Sequence, residues 1–192
     1  MNTSLKDDYC SSELGANSSI TNGETIELVS ENDKSHRGNA SQFFVAGELC
    51  RRGYAAVVTL GNTPNVDVLC SNKTGSKFVH IQVKTFVPGN KTCSVGKKAE
   101  KAFGPSFFWI IAGIPKPGTS EPFRYFIVPS QDMAHNVKQR HQTWLDQPGM
   151  KGQKRNDSSI RAVAISDKAS SNFWNIAEFE NRWDLIDEAL NN

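Results

Sequence analysis

Hydrophobic and polar residues first alternate at helical spacing, over residues 39–52. Asn39 and Gln42 form the pattern of a capping box at the start of this run, and Gly53 marks its end. The pattern therefore predicts an α-helix that begins at Asn39. On its helical wheel, Gln42 lies in the middle of the apolar face. The other members of that face are Phe43, Val45, Ala46, Leu49 and Cys50.

The period then changes to that of β-strands. Three runs, at residues 54–60, 66–70 and 77–87, are separated by the turn sequences GNTPN and NKTGS. Connections this short predict an antiparallel meander. In the third run, successive residues alternate between two faces. One face carries Val79, Ile81, Val83 and Val87, and the other carries Phe78, His80, Gln82, Lys84 and Phe86.

The remaining elements complete an α/β (α+β) fold. We expect strands at residues 107–112, 123–128 and 161–165, a helix from Ser130, and a C-terminal helix capped by Asn175. The apolar face of this last helix either packs on the domain or forms the contact of a homodimer. The sequence thus predicts a central mixed sheet that opens with the order α-β-β-β and is flanked by helices.

Charge is unevenly distributed along the chain, although the net charge is only +2. Residues 1–37 contain 3 basic and 7 acidic side chains, whereas residues 38–101 contain 9 basic and 3 acidic ones. The polar composition of residues 1–36 predicts a flexible acidic tail, and residues 37–192 are predicted to form a single domain. The basic middle segment favours an anionic partner such as nucleic acid.

Membrane insertion and secretion are not expected from this sequence. Its longest apolar runs, such as residues 107–111, are too short to span a bilayer. The first residues lack the basic start and apolar stretch of a signal peptide. We therefore expect a cytoplasmic protein.

The candidate chemistry lies on two neighbouring predicted strands. The sequence has no P-loop, GxGxxG, GxSxG or HExxH motif, and its cysteines and histidines lack zinc-site spacing. Asp67 interrupts an apolar strand, where a carboxylate needs a partner, and Gln82 and Lys84 lie on the next strand. One interpretation is a structural ion pair between Asp67 and Lys84. The other is a hard-metal site, in which Asp67 and a backbone carbonyl bind Mg²⁺ and Lys84 orients or deprotonates water.

Residues 38–86 resemble the start of a known nuclease core. The segments GNASQFFVAGELCRRGY, NTPNVDVLC and HIQVKTF follow one another in the order of a helix and successive strands. This arrangement is similar to the PD-(D/E)XK, or restriction-endonuclease-like, superfamily, whose core begins α-β-β-β. The resemblance implies that Asp67 and the carbonyl of Val83 bind the divalent metal, Mg²⁺ or Mn²⁺, and that Lys84 is the catalytic lysine.

Two positions depart from the pattern of that superfamily. Gln82 stands where most members have Glu or Asp, and Gln42 stands at a helix position where many relatives carry Glu. A QxK variant is familiar among intron-encoded members, and an amide oxygen can coordinate Mg²⁺, but the loss of two negative charges weakens metal binding. Gln42 is equally explained as the N3 residue of the capping box, and the two explanations are compatible.

Basic residues that follow the QVK strand are expected to neutralise phosphates beside the site, and a later loop adds a second group. The predicted nucleic-acid-binding residues are Lys91, Lys97, Lys98, Lys101, Lys151, Lys154 and Arg155. Three functions stay open. The resemblance favours a Mg²⁺-dependent DNA endonuclease. The alternatives are a catalytically weakened nuclease-fold protein that binds nucleic acid, and a protein-interaction module that uses the acidic tail and the C-terminal helix.

Overall fold

Residues 34–60 and 63–191 are described by a computed structural model of the protein. The predicted tail lies outside these residues, except for its last three, which belong to a helix. The helices are α1 (Lys34–Arg51), α2 (Ser130–Asp146) and α3 (Asp184–Asn191). The strands are β1 (Ala55–Val58), β2 (Val68–Ser71), β3 (Phe78–Phe86), β4 (Thr92–Ser94), β5 (Phe107–Gly113), β6 (Arg124–Pro129), β7 (Ala162–Ala164) and β8 (Trp174–Asn175).

The main sheet has five strands in the order β1-β2-β3-β5-β6. Strands β1, β2 and β3 form the predicted antiparallel meander, and β5 pairs with β3 in parallel and with β6 in antiparallel fashion. Every residue of β5 is buried, because the strand is central and both of its faces are covered. The predicted mixed sheet flanked by helices is confirmed.

The two faces of this sheet are covered by different elements. Helices α1 and α3 pack on the face that carries Val79 and Ile81. Helix α2 packs on the opposite face, which carries Trp109, together with the small sheet in the order β4-β7-β8. Since side chains alternate along β3, Gln82 and Lys84 point away from α1, towards the face that α2 covers.

Helix α1 begins earlier than the sequence pattern predicted. It starts at Lys34, so Asn39 and Gln42 both lie inside the helix and the capping-box interpretation is wrong. The predicted end is confirmed, since the helix stops at Arg51 and Gly53 has a φ of 93°.

The buried face of α1 is also rotated from the predicted one. Ser41, Val45 and Leu49 are fully buried at a spacing of four residues, whereas Phe43 and Cys50 are exposed. The Ser41 hydroxyl lies 2.6 Å from the Thr85 hydroxyl on β3. A small polar residue, to which the hydropathy pattern gives no weight, therefore joins the helix to the sheet by a hydrogen bond.

The predicted C-terminal helix is wrong in its extent. Residues 174–175 form β8, and α3 begins only at Asp184. Asn181 adopts a φ of 57° and donates its backbone N–H to the Tyr125 carbonyl at 2.8 Å, so the segment before α3 is held on the edge of β6. The apolar face of α3 packs in the domain core, where Ile186 and Leu190 are fully buried. In the described part of the chain, no helix is both long and apolar enough to cross a membrane.

Candidate active site

Asp67 lies one residue before β2, and its backbone continues the ladder of the sheet. Its N–H donates to the Ile81 carbonyl at 2.8 Å, and its carbonyl accepts from the Thr59 N–H at 3.0 Å. The next residue, Val68, is fully buried on the α1 face. Because side chains alternate, the Asp67 carboxylate lies on the other face, beside Gln82.

Two donors on β3 hold the Asp67 carboxylate. The Gln82 side-chain amide and the Val83 backbone N–H, the latter at 2.7 Å, both donate to Oδ2. Among the described residues, Oδ1 has no hydrogen-bond partner, and no ion pair joins Asp67 to Lys84. The structural ion-pair interpretation is therefore not what the structure contains. Two neutral N–H donors, rather than a cation, bind the Asp67 carboxylate through Oδ2. The other oxygen, Oδ1, can still bind a ligand.

The backbone of Val83 completes this arrangement. In a β-strand, the N–H and C=O of one residue point to the same side of the strand. The Val83 N–H points at Asp67, so the Val83 carbonyl points to the same edge of β3. The pairing of β2 with β3 stops at Val68 and Ile81, before it reaches Val83. The structure thus brings Asp67, Gln82, Val83 and Lys84 to one place, as the sequence predicted.

Asp67, Gln82 and Lys84 line an open cleft with a volume of about 460 Å³, whereas the side chain of Val83 is buried in the core. Trp109 of β5 pairs with Gln82 in the sheet register and forms part of the wall. Its indole N–H is buried without a hydrogen-bond partner in the described part of the chain. Lys97 and Lys98 also line the cleft, at the start of a short 3₁₀ turn. Cationic side chains and an aromatic residue with an unused indole donor therefore line the same cleft as Asp67.

Among the predicted catalytic residues, Gln42 lies elsewhere. Helix α1 packs on the sheet face opposite to Gln82 and Lys84, and Gln42 does not line the cleft. No three Asp, Glu, His or Cys side chains cluster to form a metal site within residues 34–60 and 63–191. Asp67 is accordingly the only acidic residue among those that line the cleft.

The predicted nucleic-acid-binding residues divide into two groups. Lys97 and Lys98 line the cleft. Arg155 stacks over the Trp144 ring, 4.7 Å from its centroid, and donates to the Trp144 carbonyl at 3.0 Å. The others do not line the cleft; they are exposed side chains at Lys91, Lys101, Lys151 and Lys154.

A charged network beside the cleft was missed by the sequence analysis. Arg161, whose side chain is 3% exposed, pairs with Glu100 and lies 3.1 Å from Asp157. Asp157 also bonds to His141 at 2.8 Å and to Lys97 at 3.3 Å. The hydrogen bond from His141, followed by those from Lys97 and Arg161, holds the pKa of Asp157 well below its usual range. The network fixes the turn that carries Lys97.

A signal for this network was present in the sequence. Arg161 stands next to the apolar strand β7, just as Asp67 stands next to β2. A charged residue beside a buried strand needs partners that offset the cost of burying its charge. This requirement holds for Arg161 as it does for Asp67. The partners, Glu100 and Asp157, could not be identified without the fold.

Comparison with known proteins identifies no family for this chain. No protein-family model matches it, and no curated protein matches it. Among solved structures, it is similar to a bacterial homing endonuclease, I-Ssp6803I, at 14% sequence identity and a TM-score of 0.45. The match covers 80% of this chain and 92% of that one. An identity and a TM-score this low assign no residue role and no activity.

Proposed function

We propose that the chain is a Mg²⁺- or Mn²⁺-dependent endonuclease of the PD-(D/E)XK type that hydrolyses phosphodiester bonds of DNA. The observation that carries this proposal is the convergence of a carboxylate and a lysine in one cleft, with a backbone carbonyl beside them on β3. Asp67 and Lys84 line the cleft, and the Val83 carbonyl points to the same edge of β3 as the Val83 N–H that donates to Asp67.

The oxygen donors of the cleft fit a hard divalent cation. Asp67 offers its free Oδ1, Val83 offers its carbonyl, and Gln82 offers the oxygen of its side-chain amide. Mg²⁺ and Mn²⁺ prefer such ligands, and a bound ion lowers the pKa of water and polarises a phosphate oxygen. Because only Asp67 is anionic, we expect weak binding by the protein alone and tighter binding once a DNA phosphate is present.

The other residues of the cleft have roles that follow from their charges. The half-buried Lys84 ammonium orients the attacking water or neutralises charge that develops on the phosphate. Lys97 and Lys98 bind the phosphates next to the scissile bond. Trp109 forms an apolar wall that limits the access of bulk water.

A plasmid-cleavage assay tests the proposal. Supercoiled DNA is incubated with Mg²⁺ or Mn²⁺ and with the parent, Lys84→Ala or Asp67→Asn. We expect each substitution to lower the nicking rate by about a hundredfold or more. Lys138→Ala removes the same charge from an exposed site on α2 and serves as the control. Equal nicking by all four proteins would identify a contaminant and end the assignment.

A second candidate, a protein that binds nucleic acid without cleaving it, is favoured by one observation. The side chain that most members of the superfamily use as a second acid is here an amide, engaged with Asp67. This candidate predicts salt-sensitive DNA binding without nicking in any metal.

The remaining predictions about assembly and location stay proposals. A homodimer would have to use residues of α3 other than Ile186 and Leu190, since those are buried in the domain core. The proposed location of the enzyme is the cytoplasm.

A further inference from the structure

A cavity of about 330 Å³ lies between α2, residues 158–162 and residues 172–173. Its walls are mainly apolar and aromatic, and Trp144, Ile160 and Phe173 contribute to them. Ile160 is 69% exposed, so a large aliphatic side chain is left in water at its mouth. The proposed cleavage reaction uses none of these side chains.

The polar groups of this cavity are donors. Arg140 is exposed at the rim and has no ion-pair partner among the described residues. The side chain of Asn172 also lines the cavity, and an amide can donate to and accept from the edge of a planar heterocycle. Arg155 does not line the cavity but stacks on the Trp144 ring, which does. Asp157, the nearest acid, is already bonded to His141, Lys97 and Arg161. The cavity therefore combines aromatic walls with a cationic rim.

The cavity and the active-site cleft adjoin the same ion-pair network. His141 lines the cavity and Lys97 lines the cleft, and the Asp157 carboxylate binds both. One carboxylate therefore links a residue of the cleft to a residue of the cavity, and we expect a strand whose phosphates contact Lys97 to come within reach of the cavity. A nucleotide has the matching chemistry, with a planar π surface, a hydrogen-bonding edge and an anionic phosphate.

From this geometry we infer that the cavity is a binding site for one unstacked nucleobase of a nucleic-acid strand that occupies the cleft. The inference rests on the proposed function and adds the substrate class to it. The enzyme acts on single-stranded DNA, or on DNA that presents an unpaired nucleotide near the scissile bond. The Trp144 ring already stacks with His141 and Arg155, so a base inserted into the cavity would stack on Phe173, a contact that a fully paired duplex cannot make.

The inference is tested by comparing two labelled probes of equal length and charge. One is a single-stranded oligothymidylate and the other is an abasic deoxyribose-phosphate oligomer. Binding to the full chain is measured by fluorescence anisotropy at one salt concentration with a chelator present, so that no cleavage occurs. We expect the parent to bind the base-bearing probe about tenfold more tightly than the abasic probe.

Variants of the cavity locate the origin of this preference. Phe173→Ala and Ile160→Ser should reduce the ratio of the two affinities towards one, and the exposed Ile160 can be replaced without risk to the core. Lys138→Ala is a control on α2, outside the cavity. It should lower the affinities for the two probes by the same factor, if at all, and leave their ratio unchanged.

Each outcome of the experiment decides between the two proposals. If Ile160→Ser and Phe173→Ala keep the parent's ratio, the cavity does not hold a base and the inference is wrong, whether or not the plasmid is cleaved. The same conclusion follows if the parent binds both probes equally, or neither. A cavity-dependent preference without cleavage of either the plasmid or a single-stranded oligonucleotide under any metal would instead support the inference and overturn the proposed enzymatic activity.

Discussion

Gln82 donates its side-chain amide to the carboxylate of Asp67 across the neighbouring β3 and β2 segments, and the Val83 N–H donates to the same oxygen at 2.7 Å. A position that would supply a second negative charge in a related site thus supplies a hydrogen-bond donor. Two donors thus hold the carboxylate in the described structure. In the proposed metal site, the amide that bonds to Asp67 would also have to present its oxygen to the ion.

Replacing Gln82 by glutamate should lower the free energy of unfolding of the metal-free protein and raise its affinity for a divalent cation. In the absence of metal, the Gln82→Glu variant loses a hydrogen bond and sets two carboxylates side by side, so we expect its free energy of unfolding to fall by about 1–3 kcal/mol. Two anionic ligands bind a divalent cation more tightly than one, and binding to the folded state stabilises it. Thermal unfolding with a chelator and with Mn²⁺ measures both effects.

Gln82→Leu is the matched control, because it loses the hydrogen bond without gaining a charge. We expect Mn²⁺ to raise the Tm of Gln82→Glu more than that of the parent, and to leave Gln82→Leu almost unchanged. A metal-induced shift no larger in Gln82→Glu than in the parent would show that this position does not face the ion.

Removing the buried arginine of the network should be among the more costly substitutions. Arg161→Met leaves Glu100 without its cation and two carbonyls, of Ser158 and Ile160, without their donor. We expect the free energy of unfolding to fall by about 3 kcal/mol. Urea denaturation measures the change. The exposed pair of Arg182 with Asp184 is the control, and Arg182→Met should lower the free energy of unfolding far less than Arg161→Met does.

Asp157 should make the free energy of unfolding depend on pH in the acidic range. The hydrogen bond from His141, with Lys97 and Arg161 nearby, lowers the pKa of Asp157 in the folded state. A lowered folded-state pKa gives stability that is present above the unfolded value of about 4 and is lost as the pH falls below it. The difference in unfolding free energy between the parent and Asp157→Asn should therefore be largest near neutral pH and shrink in acid. A difference that stays constant from neutral pH into acid would contradict this account.

Two glycines should respond in opposite directions to alanine. Gly47 lies inside α1, and a Cβ there would meet no atom within 4 Å, so Gly47→Ala should stabilise the chain by about 1 kcal/mol through helix propensity. A Cβ on Gly113 would lie 2.5 Å from the ring of Phe86, which is buried, so Gly113→Ala should cost about 1–3 kcal/mol. Thermal unfolding of the two variants side by side checks both signs.

The strands that carry the site were predictable from the sequence because their pattern is local. Period-two alternation placed Gln82 and Lys84 on one face of β3, and short turns fixed the meander that brings Asp67 beside them. The anomaly of a carboxylate at the start of an apolar strand was enough to single out Asp67. These features depend on neighbours in sequence, which a single chain displays.

Features that depend on distant partners were not predictable in the same way. A capping-box pattern at Asn39 occurs inside α1, because the helix is extended to Lys34 and docked through Ser41 on Thr85, a contact that no local pattern encodes. Likewise, helical spacing in the C-terminal segment was overridden by the bond from Asn181 to the backbone of β6. Gln42 lies away from the cleft for a similar reason, because the face of the sheet on which α1 packs is set by contacts between distant residues.

The meander allows the residues of the candidate site to come together early in folding. Asp67 and Gln82 are separated by only 15 residues, so bringing them together closes a short loop at a small entropic cost. The cleft wall at Trp109 and the Arg161 network instead require the parallel pairing of β5 with β3 and contacts that span 61 residues. Low contact order favours early formation of the hairpin that holds the carboxylate and the lysine. The residues proposed for catalysis, from Asp67 to Lys84, all lie before the end of β3 at Phe86. The residues proposed for substrate binding, such as Lys97 and Lys98, lie after it in the sequence.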